Sequence, residues 1–385
     1  MEQSVRIHID SLTFGGAGVG RAGGKVCFVR GALPGEVVLF RVLKEKPKYI
    51  QGELEEILVA SSDRVEPVCK YYGDCGGCQL QHLSYEKELV CKKEQVIETI
   101  RRIAGIDEVK CADIVPSPSP YGYRCSVTLH PSGDGYGYYR AGSREVVEID
   151  NCVIAEDAIN DVLPLVKLKG KKRDVKLKSD AGGRVWSSAR PGERFFTEEY
   201  GDNGMVLSTR AFSQPNRRIA RDIAARLDEW IGGGPDPDVF FDAYCGAGFF
   251  SFMLKTSFEK RIGMDSSRQA IDCAVTSLKR KRLSDRRFYR GDVEKSFIEL
   301  MRREKGSDNV LLLDPPRSGA AKVFLEEIGS CGWIDRLFYL SCDTGRLARD
   351  IKVLASGGKW SPGRIQPFDM FPRTGHIETL VEFVK

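Results

Sequence analysis

The stretch "PDVFFDAYCGAGFFSFML" (residues 237–254) reads as an apolar strand, a turn holding two glycines, and the opening of a helix. Glycines directly after a strand let the backbone approach a ligand closely, as in dinucleotide-binding folds. The alternation recurs downstream in "RIGMDSSRQAIDCAVTSLKRKRL" (261–283), "NVLLLDPPRSG" (309–319) and "RLFYLSCDTGRLARDIKVL" (336–354). Buried strands alternating with helices specify a parallel sheet covered on both faces. A Rossmann-like α/β domain is therefore expected over residues 206–385.

Ligands of open α/β sheets bind outside the carboxyl ends of the strands. The residues that close these strands are thus the first candidates. Gly246 and Gly248 follow one strand, and Asp265 ends the next. A carboxylate about 20 residues beyond such a turn accepts hydrogen bonds from both hydroxyls of a ribose. Asp292 in "YRGDVEK" would then face an adenine ring. Asp314 ends a further strand, its loop stiffened by Pro315 and Pro316. Each acid taken singly also suits a helix N-cap. Together beside one glycine turn they point to an adenosine-bearing cofactor. The chain has neither GxGxxG nor a GKS/T loop here, which argues against NAD and ATP and leaves S-adenosylmethionine.

Cys342 sits where a buried strand runs out and a helix begins. A free Cys is most often a small buried hydrophobe. Beside a helix N-terminus, however, its thiolate is favoured. Cys245, Cys273 and Cys331 read as packing residues of the same domain.

The chain has 385 residues, room for two or three domains. No apolar run reaches membrane-spanning length, and "MEQSVRIHID" lacks the core of a signal peptide. A cytoplasmic protein with no membrane partner is expected. Twelve cysteines in such a chain favour metal binding or catalysis over disulfides. The net charge of +5 says little, but basic runs at 101–104, 167–178 and 279–290 suit a polyanionic partner.

Residues 1–62 read as short strands broken by glycine, the pattern of an OB-like β-barrel. Residues 63–205 form a second expected unit, a small α+β domain. It opens with a cysteine-rich segment and a helix over 84–105, followed by a Pro/Ser hinge at 115–124. "CKYYGDCGGCQLQH" (69–82) supplies Cys69, Cys75 and Cys78 at a spacing that suits either zinc or an iron–sulfur cluster. It is not C-x3-C-x2-C, which disfavours radical S-adenosylmethionine chemistry.

These motifs resemble those of the RNA uridine-C5 methyltransferases, which act on 23S ribosomal RNA and transfer RNA. The resemblance covers nearly the whole chain. "FSQPN" (212–216), "DAYCGAGFF" (242–250), "DPPRSG" (314–319), "YLSCD" (339–343) and "HIETLVEF" (376–383) are similar to that family's motifs, and the start resembles an RNA-binding TRAM domain. The resemblance implies cofactor contacts from Gln214, Tyr244, Asp265, Asp292 and Asp314. It implies Cys342 as nucleophile and Glu378 as base. It also implies Cys152 as the fourth ligand, with Cys69, Cys75 and Cys78, of a [4Fe–4S] cluster. Phe249 departs from the family, standing where many members carry Asn, and Asp265 stands where Glu is common.

The chemistry explains why a thiol and a carboxylate would converge. Carbon 5 of uracil is too weak a nucleophile to take a methyl group unaided, and a thiolate added at carbon 6 makes it electron-rich. A base must then remove the carbon-5 proton. The target base is expected to be flipped out of its RNA. The expected partner is RNA, 23S ribosomal RNA before the transfer RNA T-loop, with the enzyme as a monomer. One rival is an exocyclic-amine methyltransferase, which needs no thiol. Another is a non-catalytic RNA-binding protein with a vestigial methyltransferase fold.

Overall fold

The computed structural model describes residues 4–133, 135–166, 173–190, 192–201 and 203–385. Residues 167–172, the start of the basic run at 167–178, lie outside the described residues.

The first five strands are β1 (Ser4–Leu12), β2 (Gly18–Ala22), β3 (Lys25–Arg30), β4 (Val37–Glu45) and β5 (Tyr49–Val59). They close into a barrel in the order β1-β2-β3-β5-β4. Alternation along the strands turns Ile7, Ile9, Cys27, Val29, Val38 and Phe40 into its core.

Helix α1 (Tyr85–Ala104) ends at Gly105, whose φ of 75° supplies the left-handed cap. Its apolar face does not stay with the middle of the chain. Val96 and Ile100 join the core of the C-terminal body, beside Leu347 and Ile351.

The central sheet combines β6 (Ser126–Ser132), β7 (Gly135–Tyr139), β8 (Val146–Glu148), β9 (Val175–Ser179) and β10 (Val185–Ser187) in the order β10-β9-β6-β7-β8. The short helix α2 (Asp157–Val162) covers it, with Ile159 packed against Val127, Leu129 and Leu177. A separate hairpin follows, β11 (Phe195–Tyr200) with β12 (Asn203–Ser208). The boundary expected at 205/206 thus falls inside β12.

The C-terminal body runs α3 (Arg217–Ile231), β13 (Val239–Ala243), α4 (Phe249–Met253), β14 (Lys260–Asp265), α5 (Arg268–Lys281), β15 (Arg286–Arg290), α6 (Val293–Glu304), β16 (Asn309–Leu313), α7 (Lys322–Ser330), β17 (Arg336–Ser341), α8 (Thr344–Ser356), β18 (Ser361–Phe368) and β19 (Glu378–Val384). Its sheet has the order β15-β14-β13-β16-β17-β19-β18. Strands β13 to β17 pair in parallel, as the alternation predicts. β19 instead inserts antiparallel between β17 and β18. The switch point lies at β13, between β14 and β16, where the chain leaves in opposite directions and a crevice opens.

Candidate active site

A cleft of about 1190 Å³ runs along the carboxyl ends of these strands. At one end its wall contains Asp265, Asp292 and Asp314, at its floor Cys342 and Glu378, and at the other end Cys69, Cys75, Cys78 and Cys152. Gln214 and Tyr244 also line it. All eleven residues singled out in the sequence therefore face one space.

The floor is built by strand pairing. In the antiparallel β17–β19 ladder, Leu340 pairs with Leu380 and Ser341 with Thr379. The next step of that register sets Cys342 opposite Glu378, and side chains of directly opposed residues are neighbours. Glu378 is only 6% exposed, a carboxylate taken out of solvent.

The expected effect of the helix N-terminus on the thiol is outweighed. Asp343 caps α8 by accepting from the Arg346 N–H at 2.8 Å, so the helix does begin beside Cys342. Burial and then the adjoining Glu378 nevertheless push the thiol up to about 12, while Arg317 pulls it down. Burial raises Glu378 well above the usual carboxylate range, with Asp314 adding and Arg317 opposing. Arg317 is the cation common to both groups, and the "DPPRSG" loop that delivers it also delivers Asp314. Sequence reading attended to the acid and the prolines of that loop and passed over the arginine.

The cofactor end is a tight turn. Tyr244 has φ 63° and Gly248 φ 83°. A Cβ on Gly248 would lie 2.8 Å from the Phe288 ring, so glycine is required there by space as well as by angle. Asp265 accepts from the Gly246 N–H at 3.0 Å and the Ser267 N–H at 2.7 Å, fixing turn and carboxylate together. Asp292 is the N-cap of α6, accepting from the Glu294 N–H at 3.1 Å, so its capping and cleft-facing roles coexist. The Tyr244 hydroxyl donates to Glu294 at 3.1 Å. Burial pushes Asp314 up to about 8, with Asp242 and Asp265 adding. Asp242 escaped sequence reading. It lies under the turn, fully buried, holding the Ser251 hydroxyl at 2.8 Å, its other carboxylate oxygen without a hydrogen-bond partner among the described residues.

Phe249 turns away from the cleft into the core, its ring 4.9 Å from Tyr200 and 5.1 Å from Phe250. Gln214 sits on a loop held by the central sheet. Lys178 donates to the Ala211 carbonyl at 2.7 Å, the Ser208 carbonyl at 3.1 Å and the Ser213 hydroxyl at 2.8 Å. The Cys125 N–H donates to the Pro215 carbonyl at 2.8 Å. Asn216 caps α3 and donates to Ser117 at 3.1 Å.

At the far end the four thiols feel one another: Cys152, Cys75 and Cys69 each raise Cys78, after burial, which pushes it up to about 12. The Gly77 N–H points at the Cys75 sulfur at 3.4 Å, and Asn160 brackets Cys152, accepting from its N–H at 2.9 Å and donating to its carbonyl at 3.1 Å. Among the described residues no group of three or more His, Cys, Asp or Glu is arranged to hold a metal ion. The expected packing cysteines Cys245, Cys273 and Cys331 are all buried.

Residues 205–385 match the family described as tRNA (Uracil-5-)-methyltransferase, and residues 2–54 match the TRAM domain. An RNA methyltransferase of Bdellovibrio bacteriovorus is 31% identical over 98% of this chain and 94% of its own. The chain belongs to the RNA uracil-C5 methyltransferase family. A 23S rRNA (uracil(1939)-C(5))-methyltransferase of Vibrio campbellii is 27% identical over 98% of this chain and 95% of its own. The fold is shared with the tRNA (uracil-54, C5)-methyltransferase of Pyrococcus abyssi, at TM-score 0.74 and 21% identity over 99% of this chain and all of that one. As an RNA uracil-C5 methyltransferase, the enzyme has the mixed α/β architecture expected from its sequence, a barrel ahead of a methyltransferase fold. No helix among the described residues is long and apolar enough to cross a membrane.

Proposed function

We propose that this enzyme methylates carbon 5 of a flipped-out uridine through a covalent intermediate on Cys342. The observation that carries this reading is the β17–β19 register, which sets a buried thiol opposite a buried carboxylate on the cleft floor. The Cys342 thiolate adds to carbon 6, and the electrons of the 5,6 double bond pass into an enolate. Gln214, Tyr244, Asp265, Asp292 and Asp314 would hold S-adenosylmethionine, which when bound would supply an electrophilic methyl group to carbon 5, its sulfonium S–C bond breaking to leave S-adenosylhomocysteine. Glu378 then takes the carbon-5 proton, the C–H electrons restore the double bond, and the thiolate is expelled. A carboxylate raised by burial is a stronger base and suits this last step. Arg317, facing both groups, makes the thiolate less costly.

The substrate proposed is 23S ribosomal RNA, supported by the relative in Vibrio campbellii, a 23S rRNA (uracil-C5)-methyltransferase. Its partners are thus RNA alone, bound by the barrel and the central domain, and the enzyme works as a cytoplasmic monomer. The three units proposed are 1–62, 63–205 and 206–385. α1 packs with the last of them rather than with the second.

We further infer that Cys69, Cys75, Cys78 and Cys152 hold a [4Fe–4S] cluster. Four thiols lining one end of the cleft, with the Gly77 N–H directed at the Cys75 sulfur, are the donor chemistry such a cluster takes. When bound it would tie the 69–78 loop to the central sheet. Iron and sulfide analysis of anaerobically purified enzyme, with its visible absorption, tests this. One equivalent of zinc and no iron would refute it.

The covalent reading is tested with S-adenosylmethionine and RNA containing 5-fluorouridine. Fluorine cannot leave as a proton does, so a denaturation-resistant protein–RNA adduct should accumulate, and Cys342→Ala should abolish it. Sequencing the attached fragment identifies the RNA. Full adduct formation by Cys342→Ala would eliminate the proposal.

A further inference from the structure

Between β18 and β19 the chain runs for nine residues, 369–377, straight into Glu378. This loop has no regular structure of its own and leads directly into the strand residue that carries the carboxylate. It is gripped by a charge cluster buried far from solvent. Lys92 of α1 is fully buried and donates to Asp369 at 2.6 Å, to Glu88 at 2.7 Å and to the Phe371 carbonyl at 3.2 Å. Arg373 donates from its N–H to Glu88 at 2.8 Å and from its guanidinium to the Leu83 carbonyl at 2.7 Å. Two cations and two carboxylates thus balance, the condition under which buried charge is tolerated.

The same loop is seized from the cysteine side. The N–H groups of Gln79 and Leu80, directly after Cys78, both donate to the Arg373 carbonyl at 3.0 Å. The Gly375 N–H donates to the Gln79 side chain at 3.2 Å. Arg373 itself takes φ 66°, a left-handed conformation that a non-glycine residue keeps only where its surroundings impose it.

A buried four-charge cluster is an expensive way to hold a surface-to-core connection together. Apolar residues of similar volume often do as well for stability. What hydrogen-bonded charge adds is a unique geometry. We propose that Arg373, clamped by Glu88 and the 79–80 backbone, is a positioning residue for the base: it fixes the loop so that Glu378 meets the carbon-5 proton. This rests on the covalent reading above.

The steps of that reading separate the role from simple stability. Addition of the Cys342 thiolate and methylation precede proton removal, so a misplaced base stalls the reaction after both. The stalled species is a methylated adduct with the sulfur–carbon-6 bond intact and the carbon-5 proton still in place. It should persist on ordinary uridine RNA, without fluorine.

The test uses full-length enzyme, radiolabelled S-adenosylmethionine and unmodified RNA, read by denaturing electrophoresis. Glu378→Gln is the reference for a lost base. Arg373→Gly removes the guanidinium while accepting the backbone angle, and Arg373→Lys restores a donor that reaches Glu88. Arg373→Gly is expected to lower kcat on the order of 10–100-fold, the range of a small misplacement. It should also accumulate labelled adduct, with the KM for S-adenosylmethionine within about twofold of the parent. Arg373→Lys should recover turnover and lose the adduct. Adduct with Glu378→Gln but none with Arg373→Gly, whether that variant turns over normally or is inactive, overturns the positioning role and leaves the covalent reading standing. No adduct with either, and none on fluorinated RNA with the parent, overturns both.

Discussion

The two sulfur-bearing regions of the cleft are built in opposite ways. Cys342 is delivered by a strand end, and its neighbour Glu378 by the first residue of the strand paired beside it. Sheet register fixes their approach, and a slip of either strand by one residue would turn its member of the pair to the other face. The four thiols at the other end hang from loops: Cys69, Cys75 and Cys78 from turns with no strand, and Cys152 from a segment ahead of α2. Outside the isolated bridges of Cys75 with Tyr72 and Arg140, no ladder fixes these thiols among the described residues. The cleft floor is held by sheet register, and the thiol end by turns.

This contrast predicts different responses to losing one sulfur. Under the proposed covalent reaction Cys342→Ala removes the nucleophile and leaves its frame, so kcat should fall by roughly 10⁴-fold or more while Tm barely moves. Cys78→Ser should do the reverse in character. Iron content should drop and Tm fall by about 5 °C or more, what ~2 kcal/mol does to a domain of this size, with activity lost in proportion to unfolded protein. Calorimetry beside initial rates separates them. A Cys78→Ser enzyme of unchanged Tm and iron content would mean that the loops stand unaided.

What the sequence disclosed follows the same division. Strand ends, the glycine turn and the cysteine spacing are local patterns, and they were legible. Partners brought together by distant segments were not. Arg317 was passed over because nothing in "DPPRSG" says which way its side chain points. The alternating pattern predicted parallel strands throughout, whereas β19 enters antiparallel, and only that insertion makes 342 and 378 neighbours. α1 reads as a helix at nearly its observed limits, 84–105 against Tyr85–Ala104, but periodicity names a face without naming what it covers. Lys92 and Glu88 lie on that face. A polar pair at helical spacing reads as a surface pair until Asp369 and Arg373 are seen to close on it.

The electrostatics of the floor sharpen the comparison. Cys342 and Glu378 both titrate above their usual ranges, and near neutrality the free enzyme holds on Cys342 a proton that the working thiolate lacks. The ionised fraction of a group well below its pKa rises about tenfold per pH unit. kcat/KM should therefore climb with pH from about 6 to about 9 with no plateau, as far as the fold survives. Arg317→Met removes the cation that lowers both groups. It should displace the profile to higher pH and cost about tenfold at neutral pH, the effect of one unit. A flat profile in the parent would show that burial is relieved once RNA and cofactor enter.

Lys178 offers the gentlest test, because it joins the two kinds of construction. It stands on a strand of the central sheet yet holds the segment 208–213, from the end of β12 into the Gln214 loop, by three oxygens. Burial lowers this amine to about 8, and no carboxylate accepts from it among its described hydrogen bonds. Its value lies in the loop geometry and not in charge. Lys178→Met keeps the length of the side chain and abandons three acceptors, which leaves the Gln214 loop free to shift. KM for S-adenosylmethionine should rise by roughly threefold to tenfold, ~1 kcal/mol, with kcat held near the parent value because Cys342 and Glu378 stay in register. A fall in kcat with KM unchanged would place the lysine's influence on the floor instead, and the division between a register-built reaction centre and loop-built binding walls would have to be redrawn.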